Sequence, residues 1–222
     1  MIKRLFDIVL STMAIIILSP FVIIIMAILK VTGEGYIFYR QKRIGQYGEP
    51  FMLIKFTTML SNSLNMEGGG ITLRNDHRIL PFGKFLRKTK INELPQIFNV
   101  WLGDMSIIGP RPMIPEHFHF YNDDVKNIIS KFKPGLSGIA SLIFRDEEKY
   151  FVNKDAKKNK MFYKNEISPY KGELECWYCR NQSMITDLLI IINTIVLIIS
   201  TSSRLYNIFF KNLPKHPTFN PG

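Results

Sequence analysis

Four groups of residues in this 222-residue chain have types and spacings that could do chemistry. Cys176 and Cys179 stand in CxxC spacing, which in pairs makes a zinc site and alone can make a redox centre. No second pair accompanies them and the four histidines are scattered, so neither duty is read into them. His117 and His119 alternate within a helical segment, face different directions and read as ordinary residues. Gly68-Gly69-Gly70 could cradle a phosphate, but it fits no nucleotide-binding spacing and reads as a flexible loop. The fourth group is denser. Lys84, Arg87, Lys88 and Lys90 form a basic cluster. Asn92-Glu93 follows at the start of an apolar-periodic segment, and Arg111 stands between Pro110 and Pro112 on a stiff loop. Cations around one carboxylate suit the handling of an anionic substrate.

The charge balance agrees. Lys and Arg number 29 against 18 Asp and Glu, a net charge of +11. That favours acidic lipid, phosphorylated substrates or nucleic acid. Nucleic acid is set aside, because no helix-turn-helix, RRM or zinc-finger pattern is present. Two cysteines exclude a disulfide-stapled scaffold. A hydrophobic fraction of 46 % excludes disorder over most of the chain.

The elements that must position these groups begin with a membrane segment. Ile8 to Leu29 is a run of 22 residues without a charge, long enough as a helix to cross a core of ~30 Å. Ser19-Pro20 interrupts it at the middle, where proline removes a backbone hydrogen bond and predicts a kink. Basic residues flank both ends: Lys3 and Arg4 before, and Lys30, Arg40, Lys42 and Arg43 after. The positive-inside tendency asks both ends to stay on one face. A helix that enters, bends and returns satisfies both demands. Leu188 to Ser200 is too short to span and reads as an interfacial or core helix, with Asp187 at its start as a cap.

Tyr36–Arg43 and Phe51–Phe56 read as two short strands joined by a turn at Gln46–Pro50. Pro81–Lys88 reads as a helix entered through proline. Leu94, Ile97, Phe98 and Trp101 define one face of the next helix, with Asn92 as N-cap and Gly103 as its stop. Pro115–Phe132 reads as a further helix, and Lys154–Lys164 as a solvated helix face. The expected fold is α/β in the α+β sense and mostly helical. Residues 1–31 form the membrane helix, 32–203 the cytoplasmic body with its antiparallel strands and amphipathic helices, and 204–222 a tail.

Six blocks occur in order: Lys3–Pro20 (KRLFD with the Ser-Pro-broken helix), KFTTM (Lys55–Met59), NDHRILPFGKFLRKTKINELPQ (Asn75–Gln96), GDMSIIGPRP (Gly103–Pro112), KPGLSGIASLIFRDEE (Lys133–Glu148) and RNQSMITDL (Arg180–Leu188). In these the chain resembles the bacterial sugar transferases, the monotopic polyprenyl-phosphate phosphoglycosyl transferases. The resemblance implies transfer of a sugar-1-phosphate from a UDP-sugar to polyprenyl phosphate, giving UMP. It implies Mg²⁺ as cofactor, the cytoplasmic face of the bacterial inner membrane as location, and a phospholipid membrane and other glycan-assembly enzymes as partners. Family members carry Asp-Glu where this chain has Asn92-Glu93. Their Asp attacks the β-phosphorus and their Glu helps hold the metal. By the same resemblance Arg111, Arg145, Lys55 and Arg78 meet phosphate, with Asp76 nearby. A neutral amide cannot form an acyl phosphate. Glu93 as nucleophile, direct attack by the lipid phosphate, and a non-catalytic binding or scaffold protein therefore all stay open. The segments 61–70 and 145–170 are where sugar specificity is expected.

Overall fold

The computed structural model describes residues 2–66, 72, 76–151, 156–200, 205–210 and 212–216. The Gly68–Gly70 triplet lies outside them. The chain is mostly helical with two small two-stranded sheets. α1 (Ile2–Val31) is followed by the hairpin β1 (Phe38–Ile44) and β2 (Pro50–Phe56), α2 (Pro81–Lys88), α3 (Gln96–Leu102) and β3 (Ser106–Ile108). Then come α4 (Pro115–Phe118), α5 (Asp123–Ile129), β4 (Gly135–Ser137), α6 (Ile139–Ile143), α7 (Ala156–Phe162), α8 (Ser168–Arg180), α9 (Met184–Ile199) and α10 (Tyr206–Phe209). β1 and β2 pair antiparallel, with Tyr39 opposite Lys55 and Phe38 opposite Phe56. β3 and β4 pair parallel, a match between three-residue strands that no sequence pattern announces.

α1 runs as one helix through Pro20. The Ile16 carbonyl, which Pro20 leaves without its N–H partner, accepts instead from the Ser19 hydroxyl at 2.9 Å. Both ends of this apolar helix rest on the same body. Near its start, Arg4 donates to the Val100 and Trp101 carbonyls at the end of α3, and buried Asp7 accepts from Ser106 Oγ and Ile107 N. Near its end, Ile25 and Leu29 are buried with Phe56 and Leu86. Ile16, Ile17, Ile23 and Ile24 between them are exposed. A straight span would carry one end away from the body; this helix brings both to it, as a re-entrant element requires.

Three expectations are corrected. Asn92 is not an N-cap. Lys90 adopts a left-handed φ of 60° after α2 and starts a 3₁₀ turn, Ile91–Glu93, that holds Asn92 inside it, while α3 begins only after Pro95. Pro115–Phe132 is not one helix but α4 and α5, restarted by Asn122, whose side chain accepts from Val125 N. Asp187 does not cap α9. Ser183 does, and buried Asp187 instead pairs with Lys3 and accepts from the Tyr178 hydroxyl. Lys154 lies outside the described residues, and α7 passes directly into a π turn, Tyr163–Ile167, whose Tyr163 and Ile167 are buried.

The main core packs Ile108, Ile139, Ile167, Leu174, Tyr178 and Ile190 between α6, α8 and α9. Gly109 and Gly135 touch backbone to backbone: a Cβ on Gly135 would lie 2.1 Å from Gly109 N. Only glycine allows that approach, and it fixes the start of the Pro110-Arg111-Pro112 loop.

Candidate active site

One cavity of about 700 Å³ collects the charged residues. β2 delivers Lys55, the 3₁₀ turn delivers Asn92 and Glu93, the loop after β3 delivers Arg111, and the segment after α6 delivers Arg145. Lys55 Nζ lies 2.8 Å from Glu93 Oε1, and Arg111 Nη2 lies 3.6 Å from the same oxygen. Arg111 is held from behind. Its backbone N–H donates to Glu175 Oε1 at 2.9 Å and its Nη1 donates to Ser141 Oγ at 3.2 Å. Lys90 Nζ donates to the Arg145 carbonyl at 3.1 Å, tying the two sides of the mouth together.

The electrostatics follow from this crowding. Burial alone would raise the Glu93 carboxyl, but Lys55 and Arg111 outweigh it and hold Glu93 ionised, well below the usual carboxylate range. Burial lowers Lys55 to about 8, with Glu93 pulling the other way. Burial and the neighbouring Arg111 lower Arg43 to about 10. Burial raises Glu175 to about 7, although the Arg111 N–H opposes it. The Arg43 Nε, Arg145 Nη1 and Asn92 Oδ1 atoms are buried without a hydrogen-bond partner among the described residues. With Lys55, the guanidinium groups of Arg43, Arg111 and Arg145 line the cavity and suit it to a multiply charged anion.

Part of the lining is apolar. α9 contributes Ile191, Ile195 and Ile198, and Leu136 and Ile107 adjoin them. On its outer side α9 exposes Ile185, Leu188 and Ile199, and α3 exposes Phe98, Trp101 and Leu102. Polar and greasy substrate parts can therefore meet in one chamber.

Five sequence candidates, Lys55, Asn92, Glu93, Arg111 and Arg145, line this cavity. Arg78 does not. Its Nε and Nη2 grip Asp76 at 2.8 and 2.5 Å and its Nη1 donates to the Ser63 carbonyl, all fully buried. That pairing makes Arg78 and Asp76 a structural lock rather than phosphate ligands. The sequence reading set His117 aside, named Arg43 only as a charge flanking the membrane segment, and missed Glu147, Tyr163, Lys171 and Glu175. His117 packs tilted against Tyr163 at 4.4 Å and lines the cavity, and burial lowers it to about 4, so it is neutral at physiological pH. His119 is exposed, facing elsewhere as its spacing predicted. Cys176 and Cys179 are buried thiols raised by burial, which suits packing. Only Glu147 carried a sequence signal, inside the FRDEE block; the others come from elements far apart in the chain.

With that geometry in view, the bacterial sugar transferase family model matches residues 1–201, and the chain belongs to that family. It is 31 % identical over 207 residues to the exopolysaccharide production protein ExoY of Sinorhizobium fredii, covering 87 % of this chain and 83 % of that one. It is 38 % identical over 145 residues to the UDP-glucose:undecaprenyl-phosphate glucose-1-phosphate transferase of Klebsiella pneumoniae, covering 63 % and 30 %. It is 33 % identical over 207 residues to the undecaprenyl-phosphate galactose phosphotransferase of Salmonella typhimurium, covering 86 % and 39 %. The chain thus spans most of the first relative and well under half of the other two. With the exposed apolar α1, this makes it a membrane-associated enzyme of the phosphoglycosyl transferase class.

Proposed function

We propose that this chain transfers a sugar-1-phosphate from a UDP-sugar to polyprenyl phosphate at the cytoplasmic face of a bacterial inner membrane, opening the assembly of a surface glycan. The observation that carries the reading is the shared chamber, lined by Lys55, Arg43, Arg111, Arg145 and Glu93 and also by Ile191, Ile195 and Ile198 of α9. A diphosphate suits the charged lining and a prenyl chain the apolar lining. The substrates named for the Klebsiella and Salmonella relatives agree with that pairing.

Magnesium fits these residues. Among the described residues no cluster of three or more His, Cys, Asp or Glu could hold a metal by itself. Magnesium, however, commonly takes one or two carboxylates and completes its shell with substrate phosphates and water. Glu93 and the unpartnered Asn92 Oδ1 would hold it there, and when bound it shields diphosphate charge.

Asn92 cannot serve as a nucleophile, and the Glu93 carboxylate is drawn between Lys55 and Arg111. This favours direct transfer. An oxygen of the lipid phosphate bonds to the β-phosphorus, the bond from that phosphorus to the bridging oxygen breaks, and UMP leaves with the electron pair. Arg111 and Lys55 face the charge that spreads over the phosphoryl oxygens. The test is UMP release from a UDP-sugar with the membrane-reconstituted protein. Release only when polyprenyl phosphate is present supports direct transfer; no release with any UDP-sugar overturns the proposal.

A further inference from the structure

The cavity holds a charge pair that diphosphate chemistry does not need. Lys171 Nζ lies 2.7 Å from Glu147 Oε1, and its ammonium sits 5.1 and 5.3 Å from the ring centres of Phe144 and Tyr163. The Lys171 side chain is 4 % exposed, while Glu147 keeps 24 % and faces the chamber. A carboxylate repels a diphosphate, so a second carboxylate in the cavity besides Glu93, which Lys55 and Arg111 already pair, suits a neutral group that donates hydrogen bonds. From Glu147 and Lys171 together, the ligand meets an acceptor and a donor side by side, backed by aromatic surface. That is the complement of a sugar hydroxyl, which donates and accepts at one oxygen, with ring C–H groups against the aromatic wall.

Resting on the donor assignment above, we propose that Glu147 and Lys171 form the subsite that reads the hydroxyls of the donor sugar. Position supports the sugar rather than the nucleoside. Arg111, whose guanidinium approaches Glu93, lines the same cavity as Glu147 and Lys171 and lies within electrostatic reach of both. In a UDP-sugar the group bonded directly to the reacting β-phosphorus is the sugar; the nucleoside stands one phosphate further away. The aromatic wall is closed to an intercalating base as well, since His117 already packs tilted against Tyr163 at 4.4 Å and stacks on Phe120 at 5.5 Å. The rings offer a face and no slot.

The experiment measures binding of UDP, UDP-glucose, UDP-galactose and UDP-N-acetylglucosamine to the full chain in lipid nanodiscs with magnesium, for the native protein, Glu147→Gln and Lys171→Met. Glu147→Gln keeps the size of a half-open side chain, and its UDP affinity serves as the check on folding if Lys171→Met misfolds. The expected result is a loss of roughly tenfold for the preferred UDP-sugar, with UDP within about twofold of native and the preference among sugars flattened. Equal loss of UDP and UDP-sugar, which would mark a nucleoside or diphosphate contact, overturns the subsite alone. So does unchanged binding of both. A native protein that binds neither UDP nor any UDP-sugar overturns the donor assignment, and the subsite falls with it.

Discussion

Lys55 and Glu93 share a hydrogen-bonded ion pair of 2.8 Å that joins the sheet hairpin to the turn after α2. Thirty-eight residues separate them in sequence. The contact lets one buried lysine serve two partners: it holds Glu93 ionised, and it presents a cation to the chamber. Because burial lowers Lys55 to about 8, its charge is lost on moderate alkalinisation.

UDP-sugar affinity should therefore fall as pH rises through about 8, since deprotonated Lys55 no longer attracts the diphosphate. Lys55→Arg should abolish that alkaline limb, as arginine stays charged. The sign for folding is opposite. Between about 8 and 10.5 the unfolded chain holds the proton that the folded lysine has shed, so this group's contribution to stability rises with pH there. Binding titrations and thermal melts across pH 7 to 10 would separate the two.

Arg111→Ala should cut turnover by about 2–4 kcal/mol of transition-state stabilisation, because the loop then offers only its backbone to the diphosphate. Arg111→Lys should recover part of it, having charge but no fork. The backbone contact to Glu175 survives in both variants, so their melting temperatures should stay near native. Full activity with alanine would reduce Arg111 to a structural role.

Glu175 carries the next expectation. Its Oε2 has no hydrogen-bond partner among the described residues, and burial raises the carboxyl from 4.5 to about 7. Between those values the folded protein binds a proton that the unfolded chain does not, so this group's contribution to stability declines as pH rises from about 4.5 to 7. Glu175→Gln should keep the acceptor for Arg111 N–H and flatten that slope. Denaturant melts at pH 5 and 7 that differ as much in the variant as in the native protein would refute it.

How much of this was legible beforehand depended on range. α1, the β1–β2 hairpin and α2 are written locally, in an unbroken apolar run, a pair of aromatic-rich strands and a proline-led basic segment. Gly103 stops α3 because its φ of 101° suits glycine. The Asn92 error was also local in origin: an amide before an apolar face reads as a cap, and nothing in the spelling reveals that Lys90 turns left-handed. Arg78 misled for a different reason. It reads as one more cation near the site, yet Asp76, two residues away, takes its guanidinium in the buried interior. Glu175 and Lys171 could not be found from spacing, because α8 reaches the chamber only through tertiary packing. Asp187 was miscast for the same reason, its partner Lys3 lying 184 residues away.

The Asp7 anchor should matter for stability. Its buried carboxylate accepts from Ser106 Oγ at 3.0 Å and from Ile107 N at 2.9 Å, binding the start of α1 to β3. Asp7→Ala leaves both donors without that acceptor and should cost about 1–3 kcal/mol. Asp7→Asn retains one acceptor oxygen and should cost less. Thermal unfolding in detergent would rank them, and an alanine variant as stable as the native protein would deny the anchor.

The last prediction concerns Asn92, which stands where the resemblance places a nucleophilic aspartate. It is buried in the turn beside Glu93, with its Oδ1 free of hydrogen bonds among the described residues. Asn92→Asp changes one NH₂ group to oxygen and needs no new space. The carboxylate it creates would stand beside Lys55 and Arg111, whose charges keep Glu93 ionised and would favour the same state in its neighbour. Such a group could attack the β-phosphorus itself. The expected outcome is a change of kinetic order. The native protein should release UMP only when polyprenyl phosphate is supplied and should carry no phosphosugar. The Asn92→Asp variant should release UMP from UDP-sugar alone, in an amount matching the enzyme present, and intact-protein mass spectrometry should show one sugar-phosphate added. Peptide mapping should find it on residue 92. An adduct on Glu93 of the native protein would instead make that longer carboxylate the nucleophile and rule out direct transfer.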